Sequence, residues 1–159
     1  AISDKAPAPL RNRLGIAIAR RTYRAYRELL ASPRWRKLAA TGAQPQRLLW
    51  GSTGTKDPQA SATLYIEALA APDTINTVPE KTLLAFAEHG QLRGVMPEDG
   101  DDAEAVLARF AEAGIDVDAL ANQLQQEGAQ AFVKSWNALL KRIAEKSEAL
   151  AEAGAQVKY

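Results

Sequence analysis

Between Leu10 and Leu30 the apolar positions Leu14, Ile18, Tyr26, Leu29 and Leu30 recur mainly at three- and four-residue steps, with Arg13, Arg20, Arg24 and Arg27 largely on the other side. That spacing predicts an amphipathic helix of about twenty residues, entered through Pro7 and Pro9 and carrying a solvated basic face. Ser32 then suits an N-cap and Pro33 a first helical position, introducing a short helix through Arg34, Trp35 and Lys37 that Gly42 ends. After the linker GAQPQ, the run Arg47–Trp50 is short, apolar and bounded by Pro45 and Gly51, the pattern of a buried strand in a parallel sheet. The turn GSTGTKDP follows. A helix is expected from Ser61 to Leu69, with Leu64, Tyr65, Ala68 and Leu69 on one face and Pro72-Asp73 breaking it. Thr74–Val78 reads as a second strand ended by Pro79. Glu80–Glu88 reads as a helix with Leu83, Leu84 and Ala87 inward and His89-Gly90 closing it.

Beyond the loop QLRGVMPEDGD the pattern is helical only. Asp102–Ala113 carries the stripe Val106, Leu107 and Phe110 and is capped by Gly114. Asp116 starts another helix. Its apolar positions Leu120, Leu124, Phe132, Val133, Trp136, Leu139, Leu140 and Ile143 hold the period to about Leu150, with a break expected near Gly128. Outside the alanine-rich end there is no low-complexity segment and no repeat, which argues against a solenoid. The tally is roughly two strands and six or seven helices. Two parallel strands cannot form a covered sheet alone, because buried strands need neighbours to satisfy their N–H and C=O groups. The missing strands are expected upstream of Ala1 or on another polypeptide. The first residue is Ala1 and the one methionine is Met96, which adds to the expectation that a segment ahead of this sequence has been removed or omitted.

Composition narrows the chemistry. The 159 residues are 47% hydrophobic and 25% charged, a globular balance. With no cysteine and His89 as the lone histidine, disulfide scaffolds, thiolate metal sites and histidine clusters are excluded, so no metal site is expected. No apolar run reaches membrane-spanning length and no signal-peptide pattern opens the sequence, so the default compartment is cytoplasmic and no membrane partner is expected. Net charge is +1, yet a cut after Lys56 leaves twelve Lys/Arg against two Asp/Glu before it and eight against seventeen after, or +10 against −9. A basic half raises the question of nucleic acid. None of the nucleic-acid motifs occurs, and a solvated helix face is the favoured reading, with a nucleic-acid surface or an intramolecular role against the acidic half as alternatives.

The sharpest local feature is Trp50–Pro58, just past the carboxyl end of the first strand, where parallel α/β architectures bind ligands. Gly51 and Gly54 permit close backbone approach, Ser52, Thr53 and Thr55 bring hydroxyls, and Lys56 a positive charge, a set suited to a phosphate ester. It is not a Walker A loop, and a plain polar turn remains the alternative. Lys56 is disfavoured as a Schiff-base nucleophile, since that role requires an apolar pocket and Thr55 and Asp57 flank it in a polar loop. Asn76 and Thr77 offer polar side chains at the end of the second strand, although a capped turn explains them equally. His89 reads as a residue favoured by the helix C-terminus, and Asp101-Asp102 as a helix start. Trp35, Trp136, Tyr23, Tyr26 and Phe132 sit at helical spacing among aliphatics and are expected to pack.

The stretch QPQRLLW, followed by GSTGTKDP and SATLYIEALAAPDTINTVPEKTLLAFAEHG, resembles the C-terminal half of bacterial transaldolases, of the subgroup also found fused to phosphoglucose isomerase. ARRTYRAYRELLASPRWRKLAATGAQPQ before it and GIDVDALANQLQQEGAQAFVKSWNALLKRI after it resemble the same family in order and spacing, so the likeness covers nearly the whole chain. The resemblance implies an α/β fold, the C-terminal portion of a (β/α)8 TIM barrel, and transfer of a dihydroxyacetone unit between sugar phosphates through a lysine Schiff base. It implies no metal or organic cofactor. Residues 1–45 would be helices before the penultimate strand, 46–90 the last two β/α units and 91–159 the C-terminal helices.

The family's Schiff-base lysine, acid/base carboxylates and one phosphate-binding arginine lie on earlier strands. The resemblance therefore implies no catalytic residue in this chain, which alone would be inactive. Carried over instead is the substrate-phosphate region. There Ser52 matches the family's serine, Lys56 is the candidate basic group, Thr53 and Gly54 contribute, and Asn76 and Thr77 are possible rim contacts. The implied partners are sugar phosphates of the fructose 6-phosphate and sedoheptulose 7-phosphate class and the N-terminal part of the same barrel, with no nucleic acid. The rival is a stand-alone helical interaction module whose basic first helix binds a partner or nucleic acid.

Overall fold

A computed structural model describes residues 6–156, with side chains through 153. The chain divides into two compact units, Ala1–Ile115 and Asp116–Tyr159. In the first, a 3-10 turn at Ala8–Leu10 leads to α1 (Leu14–Ala31), α2 (Pro33–Ala40), β1 (Leu48–Trp50), α3 (Leu64–Ala68), β2 (Thr74–Asn76), α4 (Glu80–His89) and α5 (Ala103–Glu112). The strands pair in parallel, with Leu48 opposite Thr74, Leu49 opposite Ile75 and Trp50 opposite Asn76. Both are shorter than the sequence pattern predicts, without Arg47 at one end or Thr77 and Val78 at the other. The last rung is the Thr77 N–H on the Trp50 carbonyl at 2.9 Å, and Pro79 has no N–H to continue the ladder.

Helix α1 begins at Leu14, four residues later than its spacing predicts. Asn12 takes a left-handed φ of 61°, which stops helical propagation and which asparagine tolerates better than most residues. The inward face also differs from the expectation. Ala17, Ala19, Tyr23 and Tyr26 are buried, whereas Leu29 lies out in solvent. Small residues at 17 and 19 let neighbouring chain approach the helix, and the two tyrosine rings, 6.5 Å apart, fill the space beyond. Around them gather Trp50, Leu69 and Met96, flanked by the partly buried Leu30, Leu48, Tyr65 and Ala71.

The basic face of α1 is not the solvated surface that the pattern suggests. Helix α5 packs along α1 through the predicted stripe Val106, Leu107 and Phe110, all buried, and that docking brings its acidic start alongside the arginines. Arg13 reaches Asp102 at 2.5 Å, and Arg20 meets the same carboxylate as well as Asp101 at 2.8 Å. Arg21 grips Glu104 through two nitrogens at 2.9 and 2.5 Å, and Arg24 adds a third bond at 3.1 Å. Arg27 joins Asp73 at 2.8 Å and Glu98 at 2.7 Å. The two charge halves of the sequence thus meet inside one unit. Asp101-Asp102 does start a helix, as expected, and anchors these pairs too.

Further corrections concern α3, α4 and the loops. Helix α3 starts three residues after Ser61, because the Ser61 hydroxyl bonds the Thr63 side chain and N–H in a local turn that competes with the helix. In α4 the residues expected inward, Leu83, Leu84 and Ala87, are exposed, and the buried one is Thr82. Among the described residues no layer covers that face. Leu49 and Ile75, opposite each other on one face of the sheet, are likewise 55% and 42% exposed. Gly90 closes α4 at φ −65°, not in a left-handed cap. Its glycine is required by space, since a Cβ there would lie 2.1 Å from the Phe86 ring and 2.6 Å from the Phe86 carbonyl.

The second unit is one helix, α6 (Val117–Gln156), begun as predicted by Asp116, whose Oδ1 accepts the Ala119 N–H at 2.9 Å. The break expected near Gly128 is absent. One glycine costs a helix only about 1 kcal/mol relative to alanine, and its Ala, Gln and Glu neighbours favour helix. Phe132 and Trp136, expected to pack, are exposed within this unit, as are Val133, Leu139, Leu140 and Ile143. Among the described residues no helix is long and apolar enough to cross a membrane.

Candidate functional site

The chain leaving β1 runs along a cleft of about 420 Å³ at the strand's carboxyl end. One wall is α1, through Gly15, Ile18, Ala19 and Thr22. Trp50, Tyr65 of α3 and Leu69 just after it add to the apolar lining. Ser52, Thr53, Gly54 and Lys56 all line it. Four of the residues singled out from the sequence are therefore brought together, while Asn76 and Thr77 are not among its lining.

Their hydroxyls differ in what they are engaged with. Thr53 is buried, and its O–H donates to Asn76 Oδ1 at 2.8 Å and to the Thr77 carbonyl at 3.1 Å. Thr77 Oγ1 in turn donates to the Trp50 carbonyl at 3.0 Å. Thr53, Asn76 and Thr77 thus strap the ends of the two strands together. Ser52 is exposed and held at φ 57°, a left-handed conformation that costs a non-glycine residue about 1 kcal/mol or more. Among the described residues neither the Ser52 hydroxyl nor the Lys56 ammonium has a partner, so these two are available at the cleft. Gly54 sits close under Pro79, whose Cγ would lie 3.3 Å from an added Cβ.

Two further residues line the cleft, Asn12, which sequence reasoning passed over, and Asp57, which it named only as a polar neighbour of Lys56. Asn12, in the turn ahead of α1, donates its amide to Asp57 Oδ2 at 2.7 Å across 45 positions of sequence. The other oxygen of Asp57 accepts the Gln59 N–H at 2.9 Å, and both Asn12 and Asp57 line the cleft. The Asn12 amide first, and the Gln59 N–H second, hold the Asp57 carboxyl below the usual carboxylate range. A polar residue with left-handed preference just before a helix was the available signal for Asn12. Nothing local pointed to its partner. Near the far side of α3, Glu67 is also held low, by the Thr63 hydroxyl at 2.7 Å and the Gln91 N–H at 3.1 Å, and pins the loop after α4.

His89 is exposed in the last turn of α4, outside the cleft. No group of three or more His, Cys, Asp or Glu side chains able to hold a metal occurs among the described residues. The cleft offers a cation, a hydroxyl and loop backbone against an apolar wall of α1. That set can bind a small anion attached to a less polar body.

Residues 2–143 match the family model described as transaldolase/fructose-6-phosphate aldolase. A transaldolase of Frankia alni is 48% identical over 137 residues, covering 86% of this chain and 37% of its own length. Another, from Acidothermus cellulolyticus, is 49% identical over 125 residues, 78% of this chain and 34% of its own. That of Thermobifida fusca is 43% identical over 145 residues, 91% of this chain and 39% of its own. The chain spans under two-fifths of the length of these relatives. Its helix-rich first unit with two parallel strands is part of a (β/α)8 barrel, which accounts for the open sheet and the uncovered faces of α4. By a match running through both β/α units and most of the last helix, the chain belongs to the transaldolase/fructose-6-phosphate aldolase family.

Proposed function

We propose that this chain is the C-terminal part of a transaldolase, an enzyme that moves a dihydroxyacetone unit between sugar phosphates through a lysine Schiff base, and that its cleft contributes to substrate-phosphate binding. Residues 1–159 belong in this reading to one barrel domain, with 1–45 as helices before the penultimate strand, 46–90 as the last two β/α units and 91–159 as the C-terminal helices. The nucleophilic lysine and the acid/base carboxylates are contributed by the preceding part of the barrel, and this chain alone is inactive. No metal or organic cofactor takes part, and the enzyme works in the cytoplasm on substrates of the fructose 6-phosphate and sedoheptulose 7-phosphate class.

The observation that carries this is the cleft itself. It lies at the carboxyl end of a parallel strand, where barrels of this kind bind their ligands, and it presents Ser52 and Lys56 unpaired among the described residues. Ser52 and Lys56 contact the phosphate. Gly54 lets backbone approach it, Thr53 keeps the loop in register, and Asn76 and Thr77 act at the rim through Thr53. A helical module reading its partner through a basic α1 is not favoured, since Arg13, Arg20, Arg21, Arg24 and Arg27 are all paired with acids of the chain itself.

The test is the complete polypeptide, with this chain as its C-terminal part, given fructose 6-phosphate and an aldose phosphate acceptor. Transfer, and a covalent adduct trapped by borohydride, are expected. A complete, folded enzyme that neither transfers the unit nor forms the adduct would overturn the assignment.

A further inference from the structure

We propose that Asn12 is a positioning residue of the sugar-phosphate site, holding the loop at 51–58 through Asp57 in the conformation that presents Ser52 and Lys56 to the cleft. The inference rests on the reading of that cleft as a substrate-phosphate site.

The loop is anchored at two places. Near β1, buried Thr53 ties it to β2 through Asn76 and Thr77. At its far end the anchor is Asp57, whose two oxygens are taken by Asn12 at 2.7 Å and by the Gln59 N–H at 2.9 Å. Between the anchors stand Gly54, Thr55 and Lys56, and the one side-chain bond there, Thr55 Oγ1 to the Ala62 carbonyl, is long at 3.3 Å and exposed. Without the Asn12 amide the far end is held to itself by the Gln59 turn and no longer to the turn ahead of α1. The backbone of Lys56, one residue from that anchor, is then no longer held at the cleft from that end.

Charge gives the same contact a second role. Asp57 lines the cleft beside Lys56, and with its oxygens free its carboxylate would claim the Lys56 ammonium for itself. The Asn12 amide and the Gln59 N–H engage both carboxylate oxygens within the fold, which keeps Lys56 available to the substrate. The backbone of Asn12 is built for this task. Its φ of 61° ends the run into α1 and leaves the side chain beside a loop 45 residues away.

The experiment uses the complete enzyme. Asn12→Gly keeps the left-handed backbone and deletes the amide, and Asp57→Ala deletes the acceptor. Each is expected to raise KM for fructose 6-phosphate about five- to tenfold, less than a fully buried charge-assisted hydrogen bond because the pair is part-exposed. Inhibition by inorganic phosphate should weaken by the same factor, kcat should stay within about twofold, and the double variant should be no worse than either single one. An active wild type whose variants leave KM and phosphate inhibition unmoved, or lose kcat and melting temperature alone, overturns the positioning role. If Asn12→Gly fails to fold, Asp57→Ala decides by the same constants. A folded wild type that neither transfers the unit nor is inhibited by phosphate overturns the underlying reading, and this inference with it.

Discussion

Thr53→Val isolates one hydroxyl at the junction of fold and site. Valine keeps the branched shape and nearly the volume, so the change is the loss of a single O–H that is shared between Asn76 Oδ1 at 2.8 Å and the Thr77 carbonyl at 3.1 Å. A shared proton counts as one hydrogen bond, about 0.5–1.5 kcal/mol net. Two acceptors are left behind. Thr77 is exposed and Asn76 half-buried, so water reaches both in part and the further cost falls toward the low end of the roughly 1–3 kcal/mol for an unsatisfied buried group. The expected loss is about 1–2 kcal/mol, centred on the strand ends. Hydrogen exchange reads it directly, because the Thr77 N–H bonded to the Trp50 carbonyl forms the last rung beside the strap. That amide should exchange about 5- to 30-fold faster in Thr53→Val and return to within about twofold of wild type in Thr53→Ser. Unchanged protection in the valine variant would refute the strap, and failure of serine to restore it would move the cause to the methyl group.

At Gly90 an added Cβ meets both the Phe86 ring and its carbonyl, so Gly90→Ala should cost about 1–3 kcal/mol and lower the melting temperature although φ is ordinary; an unchanged melt would show that α4 ends more loosely than described. Acid should loosen α5 from α1. Arg21 first, and Arg24 with it, hold the Glu104 carboxyl below the usual 4.5, so its contribution is intact above that value and is lost as pH falls through the lower, folded one. Melting curves from pH 7 to pH 3 should show a shallower acid decline in Glu104→Gln than in wild type, and identical acid limbs would refute that contribution.

The elements themselves were legible because their period was long or their punctuation strong. Val106, Leu107 and Phe110 announced α5, and Pro79 with Gly51 bracketed the strands. Failures have local causes. Asn12 cost α1 its first turn through a backbone preference that apolar spacing does not register, and Gly128 was too weak a breaker for its helix-favouring surroundings. Leu83, Leu84 and Leu49 were read as inward on the assumption that a layer lies over them, and among the described residues none does. For the cleft, the loop from Ser52 to Lys56 was visible as a composition of glycine, hydroxyl and lysine after a strand. The pairing of Asn12 with Asp57, and of the α1 arginines with the start of α5, joins residues 45 to 89 positions apart, a relation that no window along the chain contains.

The arginines in and just ahead of α1 and the acids at the start of α5 lie on either side of both strands in sequence, so their contacts enclose the strands and the loop at 51–58 that lines the cleft. Closing a loop of that length carries an entropic penalty that grows only as the logarithm of its length, and it is met once. The partners Arg13, Arg20, Arg21 and Arg24 share two carboxylates, Asp102 and Glu104, so after the first contact each of the others forms at an effective concentration set by helices already side by side. The bonds should therefore yield together and not singly, with an ionic-strength dependence steeper than any one surface pair would give. The ladder acts as a reversible belt, fastened by the order of the elements along the chain, around the two β/α units that bear the site.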